Sequence, residues 1–172
     1  LAPTAGGKTE ASFFPVLSEI LHMQEPGVKC LYLSPIKALL NNQEERIGYY
    51  SSMLGLNRFK WHGDTKPSHK KRFLKDPTDI LMITPESLEV MMISSTVNCG
   101  KLFKQLSFVI IDEVHALANC DRGNHLMCIL ERLERFTDGD FLRIGLSATV
   151  GNPDYILKWM SGSSARAGKV ID

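Results

Sequence analysis

Short apolar runs separated by amphipathic stretches recur along the whole chain. Residues 9–23 carry Phe13, Phe14, Val16, Leu17, Ile20 and Leu21, a broad apolar stripe at helical spacing. Pro15 removes one interior amide and predicts a kink, and Glu25, Pro26 and Gly27 end the helix. Residues 28–34 (VKCLYLS) read as a buried strand, and residues 35–54, with Ala38, Leu39, Leu40, Ile47 and Tyr50, as a long helix closed by Gly55. The same alternation predicts strands at 57–62, 79–84, 106–112 and 141–147 and helices at 67–75, 85–93, 122–136 and 152–160. Residues 137–140 and 162–168 are the most loop-like, and an apolar segment begins at 169–171. Parallel strands need crossover connections, so repeated βα units predict a mostly parallel sheet with helices on both faces.

Composition narrows this picture only a little. A chain of 172 residues holds one full core, and residues 1–172 read as a single domain. A net charge of +1 gives no polyanion signature, so any nucleic-acid binding must come from local contacts. No apolar run approaches the ~20 residues of a membrane span, and no signal peptide is evident, which reads as a soluble, cytoplasmic protein, nucleoid association being compatible. Cys30, Cys99, Cys120 and Cys128 are scattered without a CxxC pair and read as reduced packing residues. His115, Cys120, His125 and Cys128 match no common zinc spacing, so no zinc is expected. The chain starts at Leu1 without a strand feeding its glycine-rich segment and stops as a new apolar segment begins, so both ends read as truncated.

The chemistry concentrates in two places. Residues 2–11 (APTAGGKTEA) follow the pattern of a phosphate cradle, with Ala2 in its first glycine position and Gly7, Lys8 and Thr9 in the rest. Thr4, Ala5, Gly6, Gly7, Lys8, Thr9 and Glu10 are the candidate nucleotide-binding residues. Glycines let backbone amides approach phosphate oxygens, Lys8 supplies a point charge to the β and γ phosphates, and the Thr9 hydroxyl suits Mg²⁺. The second place is FVIIDEVHAL at 108–117, a β-branched run ending in two acids. Ligands of open α/β sheets bind at such strand ends, so Asp112 is a candidate for Mg²⁺ and Glu113 for orienting or deprotonating an attacking water. Either segment alone also describes an ordinary cap; together they favour a nucleotide site.

Five segments in order carry a family resemblance: Lys8 and Thr9, SPIKAL at 34–39, TPES at 84–87, DEVH at 112–115 and SAT at 147–149. They resemble motifs I, Ia, Ib, II and III of superfamily two helicases. WHGDT at 61–65, TPESLEV, DEVHALA and RIGLSATVGNP at 143–153 make the chain most similar to the large helicase-related (Lhr) group. The resemblance spans essentially the whole chain and implies the first of two RecA-like lobes of a P-loop ATPase that uses ATP and Mg²⁺ and moves along nucleic acid, DNA favoured over RNA, in repair or in defence against foreign DNA. It implies Lys8, Asp112 and Glu113 as catalytic residues, and His115, Ser147 and Thr149 as the link between hydrolysis and strand movement. It implies Ser34, Lys37, Gly63, Asp64, Thr84 and Ser87 as nucleic-acid contacts.

The residues by themselves leave some uses open. Thr84 and Ser87 also form an imperfect capping pattern, and Ser147 to Thr149 also read as a helix cap before Asn152. Trp61 and His62 suit packing as well as stacking, and His69, Lys70, Lys71 and Arg72 suit a solvated helix face. Ala5 and Gly6 stand where many of these helicases have glycine and a hydroxyl residue, which leaves the left-handed position of the turn unassigned. A second lobe would supply arginine fingers, so the lobe alone is expected to hydrolyse ATP slowly or not at all. A duplex-DNA remodeller without strand separation and a nucleotide-regulated scaffold remain the competing readings.

Overall fold

The computed structural model describes residues 7–148 and 150–171. Five strands, β1 (Cys30–Leu33), β2 (Arg58–Trp61), β3 (Ile80–Ile83), β4 (Phe108–Ile111) and β5 (Leu142–Gly145), form one sheet in the order β2-β3-β1-β4-β5. Every pairing is parallel. The helices are α1 (Lys8–Ile20), α2 (Lys37–Met53), α3 (Pro67–Lys75), α4 (Pro85–Ile93), α5 (Cys99–Leu102), α6 (Asp121–Leu133) and α7 (Pro153–Ser161).

The period of two along each strand divides the core. Leu31, Leu33, Leu81, Ile83, Val109 and Ile111 face one layer, where Phe73 of α3, Leu88 and Met91 of α4, Leu126, Ile129, Leu130 and Leu133 of α6 and Met160 of α7 cover them. Cys30, Tyr32, Ile80, Met82 and Ile110 face the other, covered by Phe13, Val16, Leu17 and Ile20 of α1 and by Leu40 and Ile47 of α2. Because β1, β3 and β4 are buried on both faces, they read as continuous apolar runs.

The expected alternation holds, with strands two to three residues shorter than the apolar runs suggest. The predicted helix 122–136 divides instead: α6 ends at Leu133 and a 3-10 turn, Glu134–Phe136, follows. α1 carries Pro15 in its interior and ends at Ile20, three residues before the predicted helix does. Among the described residues, 169–171 form no helix or strand. No helix of the described residues is long and apolar enough to cross a membrane.

Candidate nucleotide and nucleic-acid site

With all strands parallel, their carboxyl ends share one edge of the sheet. Ser34, His62, Thr84, Asp112 and Leu146 each follow one strand there within one residue. The ladder extends one step past the strands: Asp112 N donates to Leu33 O (2.8 Å), Leu146 N to Ile111 O (2.9 Å) and Val114 N to Leu146 O (2.9 Å). These bonds fix the acid pair against both neighbouring strand ends.

Asp112 is 5% exposed. Its Oδ2 accepts from the buried Tyr32 hydroxyl (2.8 Å) and its Oδ1 from the Glu113 amide (3.0 Å). Burial raises its pKa, and the nearby Glu113 charge adds to the rise; the Tyr32 and Glu113 donors and the Lys8 charge only partly offset it. Burial, together with the adjacent Asp112 carboxylate, also pushes the Tyr32 phenol strongly upward. Glu113 adopts φ 47° and ψ 46°, the one non-glycine positive φ among the described residues. A left-handed side-chain-bearing residue costs roughly 1–2 kcal/mol, and such backbones cluster at working sites. Behind Glu113 a 3-10 turn, Val114–Ala116, carries His115. The His115 Nδ1 lies 2.8 Å from Ser147 Oγ and 3.3 Å from Glu113 Oε2. One ring nitrogen thus faces the ends of both β4 and β5, its role as donor or acceptor set by the tautomer.

On the cradle side Gly7 takes φ 72°, so it is a left-handed residue at the start of α1, a conformation that favours glycine. Thr9 is buried, and its hydroxyl donates to Gln43 Oε1 (3.4 Å). A hydroxyl that gives its hydrogen away keeps its oxygen lone pairs for a cation. Glu10 is drawn to α2 rather than to the acids: Arg46 pairs with it and Tyr50 donates to it at 3.3 Å. Burial raises the Glu10 pKa but the Arg46 pair and the Tyr50 hydroxyl outweigh it, so the carboxyl lies below its ordinary value. The expected binding residues Thr4, Ala5 and Gly6, and the coupling residue Thr149, lie outside the described residues.

The expected nucleic-acid residues line the same edge. Ser34 is buried and its hydroxyl donates to Ile36 O (3.4 Å). Lys37 forms an ion pair with Asp64 across the loop after β2, so its charge is shared rather than free. Gly63 and Asp64 are exposed in that loop, which is folded by Thr65 N on His62 O (3.1 Å) and Asp64 N on His62 Nδ1 (3.2 Å). Thr84 caps α4, accepting from Ser87 N at 3.4 Å and donating to Ser87 Oγ at 3.1 Å. The capping reading is therefore realised there, whereas before α7 the cap is Asn152, which accepts from Tyr155 N (3.0 Å). Trp61 packs in the core beside Phe59 and Phe73, with Lys70 Nζ 5.1 Å from its ring centre. His69, Lys71 and Arg72 are exposed on α3. His115, Cys120, His125 and Cys128 do not gather: no cluster of three or more His, Cys, Asp or Glu able to hold a metal occurs among the described residues.

Three site residues escaped the sequence reading. Tyr32 carried a signal, a hydroxyl on an otherwise apolar strand face, paired with Ile110 two residues before Asp112. Gln43 and Arg46 carried none, because their partners come from a helix remote in sequence.

A parallel α/β lobe with paired acids and a helix start sharing its carboxyl edge is of the nucleotide-binding class. The chain belongs to the DEAD/DEAH box helicase family, whose profile matches residues 1–156. It is 36% identical to an ATP-dependent helicase Lhr-Core of Methanothermobacter thermautotrophicus over 95% of this chain and 20% of that protein. Among solved structures it resembles Mycobacterium smegmatis helicase Lhr bound to ssDNA and AMP-PNP, with a TM-score of 0.82 at 36% identity over 94% of this chain and 22% of the other. It also resembles the DUF1998 helicase MrfA bound to DNA, with a TM-score of 0.80 at 28% identity over 94% of this chain and 23% of that one. The chain thus spans about a fifth of these relatives, and its sheet matches their RecA-like lobes.

Proposed function

We propose that the chain is the ATP-binding lobe of an Lhr-type helicase or translocase that couples ATP hydrolysis to movement along nucleic acid, with DNA favoured over RNA. The observation that carries this reading is the continuous contact from Asp112 through Glu113 and His115 to Ser147, which ties a hydrolytic acid pair to a second strand end. Lys8 and the amides at the start of α1 bind the phosphates. The donor set fits Mg²⁺: Asp112 is a buried carboxylate whose charge is disfavoured, and Thr9 keeps lone pairs available. Bound there, Mg²⁺ would neutralise charge developing on the phosphates. Glu113 orients the attacking water and takes its proton, while His115 reports the state of Glu113 to Ser147 and Thr149. The segments that carry Ser34, Lys37, Gly63, Asp64, Thr84 and Ser87 hold sugar and phosphate oxygens through backbone amides, hydroxyls and the Lys37 ammonium, without reading bases.

The DNA preference draws support from the two DNA-bound helicases that the chain resembles. In the full-length protein, single-stranded DNA should stimulate ATPase activity, and Glu113→Gln should abolish turnover while nucleotide binding survives. An ATPase indifferent to nucleic acid overturns the reading. Strand-displacement set against duplex-translocation assays separates a helicase from a duplex remodeller, and absence of turnover in the wild type would indicate a nucleotide-regulated scaffold.

A further inference from the structure

Arg122, in the first turn of α6, holds two separate loops of the strand-end edge at once. Its guanidinium donates to the Pro35 carbonyl (2.6 Å) and, through two nitrogens, to Glu86 Oε1 (2.8 and 2.6 Å). Pro35 lies between Ser34 and Lys37 after β1, and Glu86 between Thr84 and Ser87 in the first turn of α4. The Arg122 and Glu86 side chains are 48% and 54% exposed, and ion pairs this open add little to stability. The backbone acceptor changes its character, because a planar fork shared between a carbonyl and a carboxylate fixes the distance between the segments that carry them.

The base of this brace is closely packed. A Cβ built on Gly123 would lie 1.8 Å from the Leu117 carbonyl oxygen, so the start of α6 sits directly against the turn that follows Glu113 and His115. Arg122 thus stands next to a residue packed against Leu117, at the end of the turn that follows the acid pair, while its head spans the two loops.

We infer that Arg122 is a positioning residue for nucleic acid: it sets the spacing between the Ser34–Lys37 and Thr84–Ser87 loops so that both meet successive phosphates of one strand. This rests on the nucleic-acid reading above. In the full-length protein, fluorescence anisotropy with a labelled single-stranded DNA oligonucleotide tests it, alongside binding of a fluorescent ATP analogue and the thermal midpoint as controls. Arg122→Gln should weaken DNA binding about tenfold, the scale of lost charge-assisted hydrogen bonds, with both controls unmoved. Arg122→Lys should fail to rescue, since an ammonium on a flexible stem cannot hold both acceptors in a fixed fork. Glu86→Ala should also weaken binding, although deleting an acid beside a phosphate track would by charge alone strengthen it. Full affinity in Arg122→Gln or Arg122→Lys, or tighter binding in Glu86→Ala, overturns the inference while leaving the functional reading intact. A wild-type protein that binds no single-stranded nucleic acid overturns both.

Discussion

The Tyr32 hydroxyl is the partner that makes a buried Asp112 tolerable, and its removal should be felt in the folded state. Tyr32→Phe leaves Asp112 Oδ2 short of a donor, so urea unfolding should show a loss of about 1–3 kcal/mol; an unchanged midpoint would mean that water replaces the hydroxyl at no cost. Asp112 itself imposes a pH-dependent cost. Its folded pKa lies above the ordinary carboxylate value, so between the unfolded and folded values the native state binds more protons, and stability falls as pH rises through that window. In metal-free buffer Asp112→Asn should therefore unfold later than the wild type at neutral pH. The gap should close toward the acid side of the window, and parallel urea titrations would reveal a gap that ignores pH.

At the scale of elements, α6 depends on one missing methyl group. Gly123→Ala would drive a Cβ into the Leu117 carbonyl and near Trp159, forcing α6 outward, and should cost about 1–3 kcal/mol by thermal or chemical unfolding. How far the elements were legible follows from the same local physics. Pro85 marked a helix start because proline fits a first helical turn, and α4 begins there. The acid pair was legible because a buried parallel strand must end where its polar residues begin. The division of α6 from the turn at Glu134–Phe136 was not, since apolar spacing barely distinguishes three residues of 3-10 helix from a continued α-helix. The contacts of Gln43, Arg46 and Arg122 were illegible because they depend on which helices the sheet order brings together, a property of topology rather than of any local window.

For the whole molecule, the 172 residues carry the acid pair and its supports, and the family resemblance implies that arginine fingers would come from a second lobe. A phosphate-release assay on the lobe alone, with ATP, Mg²⁺ and single-stranded DNA, should give turnover ~10³-fold or more below that of the full-length protein. Equal rates would show that the lobe is catalytically self-sufficient. The strand-end edge would then have to provide transition-state charge from Lys8, backbone amides and Mg²⁺ without an arginine finger, which the acid-rich surroundings of Asp112 and Glu113 oppose.

The left-handed backbone at Glu113 sets the chain at odds with itself. Were folding the only demand, asparagine or glycine would settle at this position, since both occupy that conformation with less strain. If Glu113 has its proposed role, a lineage released from the need to hydrolyse nucleotide would drift toward a sturdier fold by losing this one carboxylate. Asparagine or glycine at position 113 in a relative would mark a lobe that has given up turnover, whatever else of its sequence persists.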